Sequence, residues 1–200
     1  MKSLVKNLVL LGVFSIIFSG LMSCGLSSGA STTKSEDEGK KPEIKEDGYP
    51  PPPTKIAEAK FKIVGDKEFS LKEAQGKVTL INLWGVWCIP CIKEMPELVK
   101  MEEEYGDKGF QIIGLNVGDA DGNTETVENI EGFRKKQNLN YKLGWVDRSV
   151  LGEFYKLARI SAVPQSFLIN RSGKLVGVFV GGGPSSLKPM KKEVNKWVNK

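Results

Sequence analysis

The sequence contains no histidine, the side chain that most often serves as a general base or a metal ligand near neutral pH. This absence argues against serine–histidine hydrolysis, histidine zinc sites and the usual haem ligation. The chain also lacks a dense block of lysine and arginine, although its formal net charge is +5. A solvated basic surface explains that charge better than a nucleic-acid site does, so we expect no nucleic-acid partner.

Cysteine is scarce as well, with only three in the 200 residues. Cys24 stands alone near the N-terminus, whereas Cys88 and Cys91 form a Cys-x-x-Cys pair within "NLWGVWCIPCIKEMP". Zinc prefers four thiolate or imidazole ligands, and the pair offers two thiols without any histidine. We therefore expect no metal and no other cofactor.

The N-terminal apolar run, residues 8–18, is shorter than the roughly 20 residues that a membrane-spanning helix needs. Because Lys2 and Lys6 precede it, residues 1–23 are predicted to be a secretory signal peptide. The Leu-Met-Ser-Cys sequence that ends at Cys24 resembles a bacterial lipobox, which implies that Cys24 is lipidated and holds the protein on a membrane. The alternative is an ordinary signal peptide followed by an incidental cysteine.

The next segment, residues 24–55, is rich in serine, threonine, glycine and mixed charges. Such a composition cannot bury enough apolar surface to fold, and the four consecutive prolines at 50–53 favour a stiff extended segment. We predict a disordered tether here and place the folded domain at residues 56–200.

Residues 56–200 alternate predicted strands and helices. We predict strands at 61–64, 78–84, 110–117, 166–170 and 174–180, and helices from Cys91 to about Gly106, at 124–136, at 149–158 and from about Ser185 onward. In the second helix, Val127, Ile130 and Phe133 are expected to face inward. Strand–helix–strand crossovers followed by a hairpin and a helix predict an α/β fold with a central mixed β-sheet flanked by helices.

The cysteine pair lies between a predicted buried strand and a predicted helix. Such a pair could be a metal half-site, a structural disulfide or a redox-active disulfide. A structural bridge across so short a loop would add little stability. A helix N-terminus stabilises a thiolate, which favours Cys88 as a nucleophile that attacks a substrate disulfide. Cys91, one turn later, can then resolve the mixed disulfide. Trp87 would shield one side of the pair and offer an apolar surface to a partner chain.

The stretch "NLWGVWCIPCIKEMPEL", together with Ala162-Val163-Pro164 before a strand, resembles thioredoxin and, more narrowly, the membrane-tethered thiol-disulfide oxidoreductases of the TlpA/ResA group. The resemblance covers roughly residues 57–200 and implies a thioredoxin-like fold. It also implies an extracytoplasmic enzyme that reduces specific protein disulfides, often in cytochrome c maturation. Its partners would be protein disulfides or dithiols and a membrane thiol electron donor, and its membrane could be the inner or the outer one.

The resemblance also assigns roles to individual residues. Val163 and Pro164 match the cis-proline loop, which binds extended substrate in this family. Asn82 stands where thioredoxin has a buried acid, and Glu94 matches a functional glutamate three residues beyond the second cysteine. If Glu94 is partly buried, its pKa should rise and it could exchange a proton with Cys91. The alternative is a solvent-facing helix glutamate.

Other functions on the same fold remain open from the sequence. A disulfide oxidase or isomerase would use the same two cysteines, and the reduction potential would distinguish it from a reductase. A non-enzymatic lipoprotein could use the fold to bind partners. A peroxidase is disfavoured because the chain has no peroxidatic cysteine in a Pro-x-x-x-Thr-x-x-Cys context.

Overall fold

The computed structural model describes residues 49–200. The predicted signal peptide, Cys24 and most of the predicted tether lie outside the described residues, so the predicted boundary at residues 55 and 56 stays a prediction. The first described helix begins at Thr54. From residue 49 onward, no helix combines the length and the apolar character that crossing a membrane requires.

The described chain contains five α-helices, one short 3₁₀ turn and seven β-strands. The helices are α1 (Thr54–Ala57), α2 (Ile89–Tyr105), α3 (Val127–Gln137), α4 (Arg148–Ala158) and α5 (Pro184–Val198), and the 3₁₀ turn Gly106–Lys108 follows α2. The strands are β1 (Lys60–Phe61), β2 (Phe69–Ser70), β3 (Val78–Trp84), β4 (Phe110–Asn116), β5 (Lys142–Trp145), β6 (Gln165–Ile169) and β7 (Leu175–Val180).

Five of these strands form the central sheet in the order β5-β4-β3-β6-β7. β3, β4 and β5 are mutually parallel, and β6 and β7 are antiparallel to their neighbours, so the predicted mixed sheet is confirmed. β3 lies in the middle and all seven of its residues are buried. A strand covered on both faces needs a continuous apolar sequence, which explains the run "VTLINLW".

The sheet separates two hydrophobic clusters. Leu80 and Trp84 point from β3 into the cluster that contains Met95 and Leu98 of α2. The intervening Ile81 and Leu83 point to the opposite face, because successive side chains of a strand alternate. The second cluster also contains one large apolar side chain from each of α1, β1, β2 and α4, namely Ile56, Phe61, Phe69 and Phe154.

The structure differs from the sequence prediction in several elements. The predicted strand at 61–64 is shorter: β1 ends at Phe61, and Ile63 makes only an isolated bridge to Gly144. Three further elements, α1, β2 and β5, were not predicted, and each is at most four residues long. Such short elements carry too few residues to show a periodicity.

The expectation that Val127 faces inward was wrong, since its side chain is 49% exposed. Helix α3 begins at Val127. The residue before it, Thr126, is the N-cap, and its hydroxyl oxygen accepts a hydrogen bond from the backbone N–H of Asn129. Ile130 is fully buried and Phe133 packs against the same cluster, as expected. The first helical position therefore lies outside the buried face that the later residues establish.

Candidate active site

The two cysteines lie where the central strand passes into a helix. Cys88 is the N-cap of α2, and its sulfur accepts the backbone N–H of Cys91 at 3.2 Å. Cys88 and Cys91 are joined by a disulfide, and both side chains are buried. Pro90 occupies the first helical turn, where its missing N–H costs no intrahelical hydrogen bond. The pair thus lies at the carboxyl end of β3, the edge where α/β sheets commonly hold their chemistry.

This position favours a negative charge on Cys88 after reduction. The N–H that contacts its sulfur belongs to the first turn of α2, whose amides have no carbonyl partner within the helix. These amides and the helix dipole stabilise a thiolate at this position once the disulfide is reduced. Cys91 lies inside the helix and is fully buried, so the two sulfurs have different environments.

Trp87 gives the site an exposed apolar surface. Its side chain is 46% exposed, and its indole N–H donates to the carbonyl of Gly118 at 3.0 Å. The ring lies close to Gly85, where an added Cβ would approach it to 2.8 Å. The neighbouring Ile89 is 62% exposed. Two large apolar side chains therefore flank Cys88 on its solvent side.

The loop that contains Val163 and Pro164 lies against the same region. Their peptide bond is cis, as expected from the resemblance, and Val163 packs against the cluster that contains both cysteines. The carbonyl of Pro164 accepts the backbone N–H of Gly181 at 2.9 Å. The next residue, Gly182, lies so close to Pro90 that an added Cβ would be 2.5 Å from the Pro90 carbonyl oxygen. The glycine run at 181–183 thus connects the cis-proline loop to the start of α2.

Glu94 is buried in α2, one turn beyond Cys91. Its side chain is only 1% exposed, which excludes a solvent-facing glutamate. Burial raises the pKa of Glu94 to about 7, and the hydrogen bond from Asn82 Nδ2 to Glu94 Oε1, 2.9 Å long, partly opposes that rise. A carboxyl with a pKa near neutrality can both accept and release a proton under physiological conditions.

Ser166, which was not predicted as a site residue, completes this buried polar group. Asn82 lies opposite Ser166 in the register between β3 and β6, and its Nδ2 also donates to Ser166 Oγ at 3.0 Å. No local pattern marks Ser166, because the two residues meet only when β6 pairs with β3, 84 positions later in the chain. Asn82 is neutral, so Glu94 is the single carboxyl in this group.

Comparison with known proteins places the chain in a family. Residues 53–178 match the AhpC/TSA family. The thiol-disulfide oxidoreductase ResA of Bacillus thuringiensis subsp. konkukian (strain 97-27) is 37% identical over 110 residues, which are 55% of this chain and 58% of that relative. ResA of Bacillus subtilis (strain 168) is 33% identical over 116 residues, 58% of this chain and 59% of the relative. The match therefore spans less than two thirds of the length of either relative.

Solved structures show the same fold. A thiol:disulfide interchange protein of the thioredoxin family from Chlorobium tepidum TLS superposes with a TM-score of 0.58 at 26% identity, covering 75% of this chain and 98% of that protein. The thioredoxin domain of a thiol-disulfide oxidoreductase from Bacteroides vulgatus gives a TM-score of 0.57 at 21% identity, with coverages of 74% and 100%. These matches confirm the resemblance that the cysteine motif suggested. The chain has a thioredoxin-like fold and belongs to the AhpC/TSA family.

Proposed function

We propose that this protein is a thiol-disulfide oxidoreductase in which Cys88 is the attacking cysteine and Cys91 the resolving cysteine. The observation that carries the proposal is the Cys88–Cys91 disulfide at the N-terminus of α2, with the Cys91 N–H directed at the Cys88 sulfur. The names of the relatives and of the solved structures support the same reaction.

The reaction begins with the reduced pair. The Cys88 thiolate attacks one sulfur of a substrate disulfide, and the other substrate sulfur leaves as a thiolate. The Cys91 thiol then gives its proton to the Glu94 carboxylate and attacks the Cys88 sulfur, which releases the second substrate thiolate. Two electrons pass from the cysteine pair to the substrate, and the disulfide is restored on the protein. Glu94 returns its proton to solvent before the next cycle.

We assign substrate binding to Trp87, Val163 and Pro164. Trp87 offers an apolar face beside Cys88, and Val163 lies against the cluster that holds both cysteines. The backbone next to a cis-proline is free to pair with an extended peptide, in the manner of strand addition to a sheet edge. The substrate class that fits is an extended polypeptide segment that carries a disulfide.

The finer assignment is a reductase held on the outer side of a bacterial membrane by a lipid on Cys24. The Leu-Met-Ser-Cys sequence and the polar residues after it support the anchor. In an oxidising compartment a reductase needs an electron source, so a membrane thiol donor is part of the proposal. The ResA resemblance extends it to reduction of disulfides in cytochrome c maturation.

The reaction is tested with the reduced protein and an aromatic model disulfide whose thiol product absorbs visible light. All variants carry Cys24→Ser, because a free Cys24 would release an additional thiol of its own. In this background we expect two thiols released per chain with the pair intact, one per chain for Cys91→Ser with the other held on Cys88, and none at this site for Cys88→Ser. The chain with Cys24→Ser alone is the matched control, since it keeps the pair intact. Wild-type behaviour of Cys88→Ser would contradict the proposal.

The direction of the reaction and the lipid anchor on Cys24 need separate measurements. A reduction potential well below about −200 mV supports a reductase, and a value well above it supports an oxidase or isomerase. Expression in a bacterial host followed by fractionation tests the anchor: wild type should remain with the membranes, and Cys24→Ser should be released. Trapping Cys91→Ser in cells and identifying the protein bound to Cys88 would name the substrate.

A further inference from the structure

Tyr141, which directly precedes the edge strand β5, packs beside the buried polar group of the site. Asn82, which holds Glu94, lies opposite Gly114 in the parallel register between β3 and β4. Gly114 has no side chain, and an added Cβ would lie 3.2 Å from the Tyr141 ring and 3.2 Å from Trp84 Nε1. The Tyr141 ring therefore packs over the β4 residue that is the direct neighbour of Asn82.

The Tyr141 hydroxyl is a buried polar group in need of an explanation. The side chain is 4% exposed, and within residues 49–200 its oxygen has no hydrogen-bond partner. Buried hydroxyls without a partner are costly and uncommon in native proteins. A phenylalanine would fill the same space without that cost. The hydroxyl therefore points to a role that the oxidised form does not display.

On its other side Tyr141 lines a cleft of about 540 Å³ at the amino ends of β3, β4 and β5. Glu102, three turns along α2 from the cysteines, also lines this cleft. The Glu102 carboxylate accepts the backbone N–H of Ile112 at 2.8 Å, and burial raises the pKa of Glu102 to about 7. The cleft lies at the end of the sheet opposite to the disulfide.

Tyr141 responds electrostatically to both carboxyl groups. Burial raises the pKa of the Tyr141 hydroxyl, and the negative charges of Glu94 and Glu102 raise it further. Tyr141 and Glu102 line the same cleft, and the Tyr141 ring also packs over the β4 neighbour of Asn82, so the hydroxyl lies within electrostatic reach of both carboxyl groups. The other charged side chains that line the cleft are Asp66, Lys77, Arg134 and Lys142; Asp66 pairs with Lys142, and the positive charge of Lys77 lowers the pKa of Glu102.

We propose that Tyr141 is a positioning residue whose hydroxyl donates to ionised Glu94 in the reduced protein, and that Glu102 competes for the same hydroxyl. The proposal deepens the proposed function and rests on it, because the proposed reaction requires an ionised Glu94 that accepts the proton of Cys91. The proposal adds no covalent step to the reaction. The Tyr141 hydroxyl keeps its proton, and only the carboxylate that accepts its hydrogen bond changes. The charge state of the cleft thereby influences proton transfer at the cysteine pair.

The test is a ¹³C NMR titration of the glutamate carboxyls in the reduced full-length protein. Tyr141→Phe should raise the pKa of Glu94 by about one pH unit, since the ionised form loses a hydrogen-bond donor. Glu102→Gln keeps an oxygen that can accept the Ile112 N–H but removes the competing charge. Glu102→Gln should lower the pKa of Glu94 by roughly half a unit in the wild-type background. In the Tyr141→Phe background the same substitution should lower it by much less.

The matched control is Tyr105→Phe, which removes another buried tyrosine hydroxyl from the same cluster. That hydroxyl accepts from Asn195 Nδ2 at 3.1 Å and should leave the Glu94 titration unchanged. A shift below about 0.3 pH units in Tyr141→Phe would overturn the proposal, as would an equal effect of Glu102→Gln in both backgrounds. If Tyr141→Phe failed to fold, Glu102→Gln alone would decide: no shift of the Glu94 pKa would overturn the proposal.

Activity measurements separate this inference from the proposed function. In the aromatic disulfide assay, release of the second thiol reports on Cys91 and should slow several-fold in Tyr141→Phe below pH 8, while the first release should be unchanged. Failure of the wild-type protein to release either thiol would refute the oxidoreductase function. A fully active Tyr141→Phe with an unshifted Glu94 would refute only the role of Tyr141.

Discussion

Glu94 shows how one residue acquires its chemistry from its surroundings. The sequence placed it one turn beyond Cys91, and the resemblance marked it as functional. Its pKa depends on burial by the whole fold and on the hydrogen bond from Asn82. Because Asn82 is neutral, it favours the ionised carboxylate without adding a second charge. The residue identities were thus readable from the sequence, whereas the shifted pKa required the packing around them.

The raised pKa of Glu94 predicts a pH-dependent stability. Burial raises the pKa from its ordinary value near 4.5 to about 7, so between these pH values the folded protein holds a proton that the unfolded chain has lost. Stability should therefore fall as pH rises through this window, by up to about 3 kcal/mol, and level off above it. Glu94→Gln should remove roughly half of the total slope, because burial raises the pKa of Glu102 to about 7 as well. Denaturant unfolding of the oxidised protein between pH 4.5 and 8 measures this change.

Glu103→Gln is the control for this experiment, because Glu103 is exposed on the same helix. It should reproduce the wild-type slope. A slope that survives unchanged in Glu94→Gln would contradict the burial of an ionisable carboxyl at this position. Glu102, whose pKa is also raised by burial, should account for the slope that remains.

At the scale of elements, the site is made where three segments converge: the start of α2, the cis-proline loop and the glycine run after β7. The sequence predicted β3 with its bounds and the helix that follows it. Contact between Gly182 and Pro90 joins segments about 90 residues apart in sequence, and local patterns carry no information about such pairs.

This close contact predicts opposite effects for two glycine-to-alanine changes. Gly182→Ala should lower the free energy of unfolding by about 1–3 kcal/mol, because the new Cβ meets the Pro90 backbone. Gly132→Ala lies within α3, where nothing approaches the new Cβ, and should raise it by about 0.5–1 kcal/mol. Chemical denaturation of both variants measures the difference. Equal effects would show that the loop moves freely away from α2.

At the scale of the whole molecule, the segment before β3 covers one face of the sheet. α1 packs against α4, and Phe61 lies between the rings of Phe69 and Phe154, at centroid distances of 6.4 Å from each. Phe154 in turn contacts Phe167 of β6 at 4.8 Å. This aromatic group belongs to the cluster on the face away from the cysteines. The short elements α1, β1 and β2 are therefore part of the domain core.

Truncation of this aromatic group should destabilise the whole domain. Phe61→Ala should lower the free energy of unfolding by about 3–5 kcal/mol, since Phe61 is fully buried. Val127→Ala, at an exposed position of α3, should change it by less than about 0.5 kcal/mol. Both values come from denaturant unfolding with the disulfide intact. A small effect at Phe61 would mean that the segment before β3 folds independently of the sheet.

The mixed α/β fold, the order of the long elements and the position of the cysteine pair could all be predicted from the sequence. These features follow from hydrophobic periodicity and from a short motif, both of which are local in the chain. The burial of Glu94, the hydrogen bonds that join Asn82 to Glu94 and Ser166, and the packing of Tyr141 beside them appear only in the folded protein. Burial and electrostatic coupling depend on strands and helices that meet from distant parts of the chain, so no local pattern encodes them.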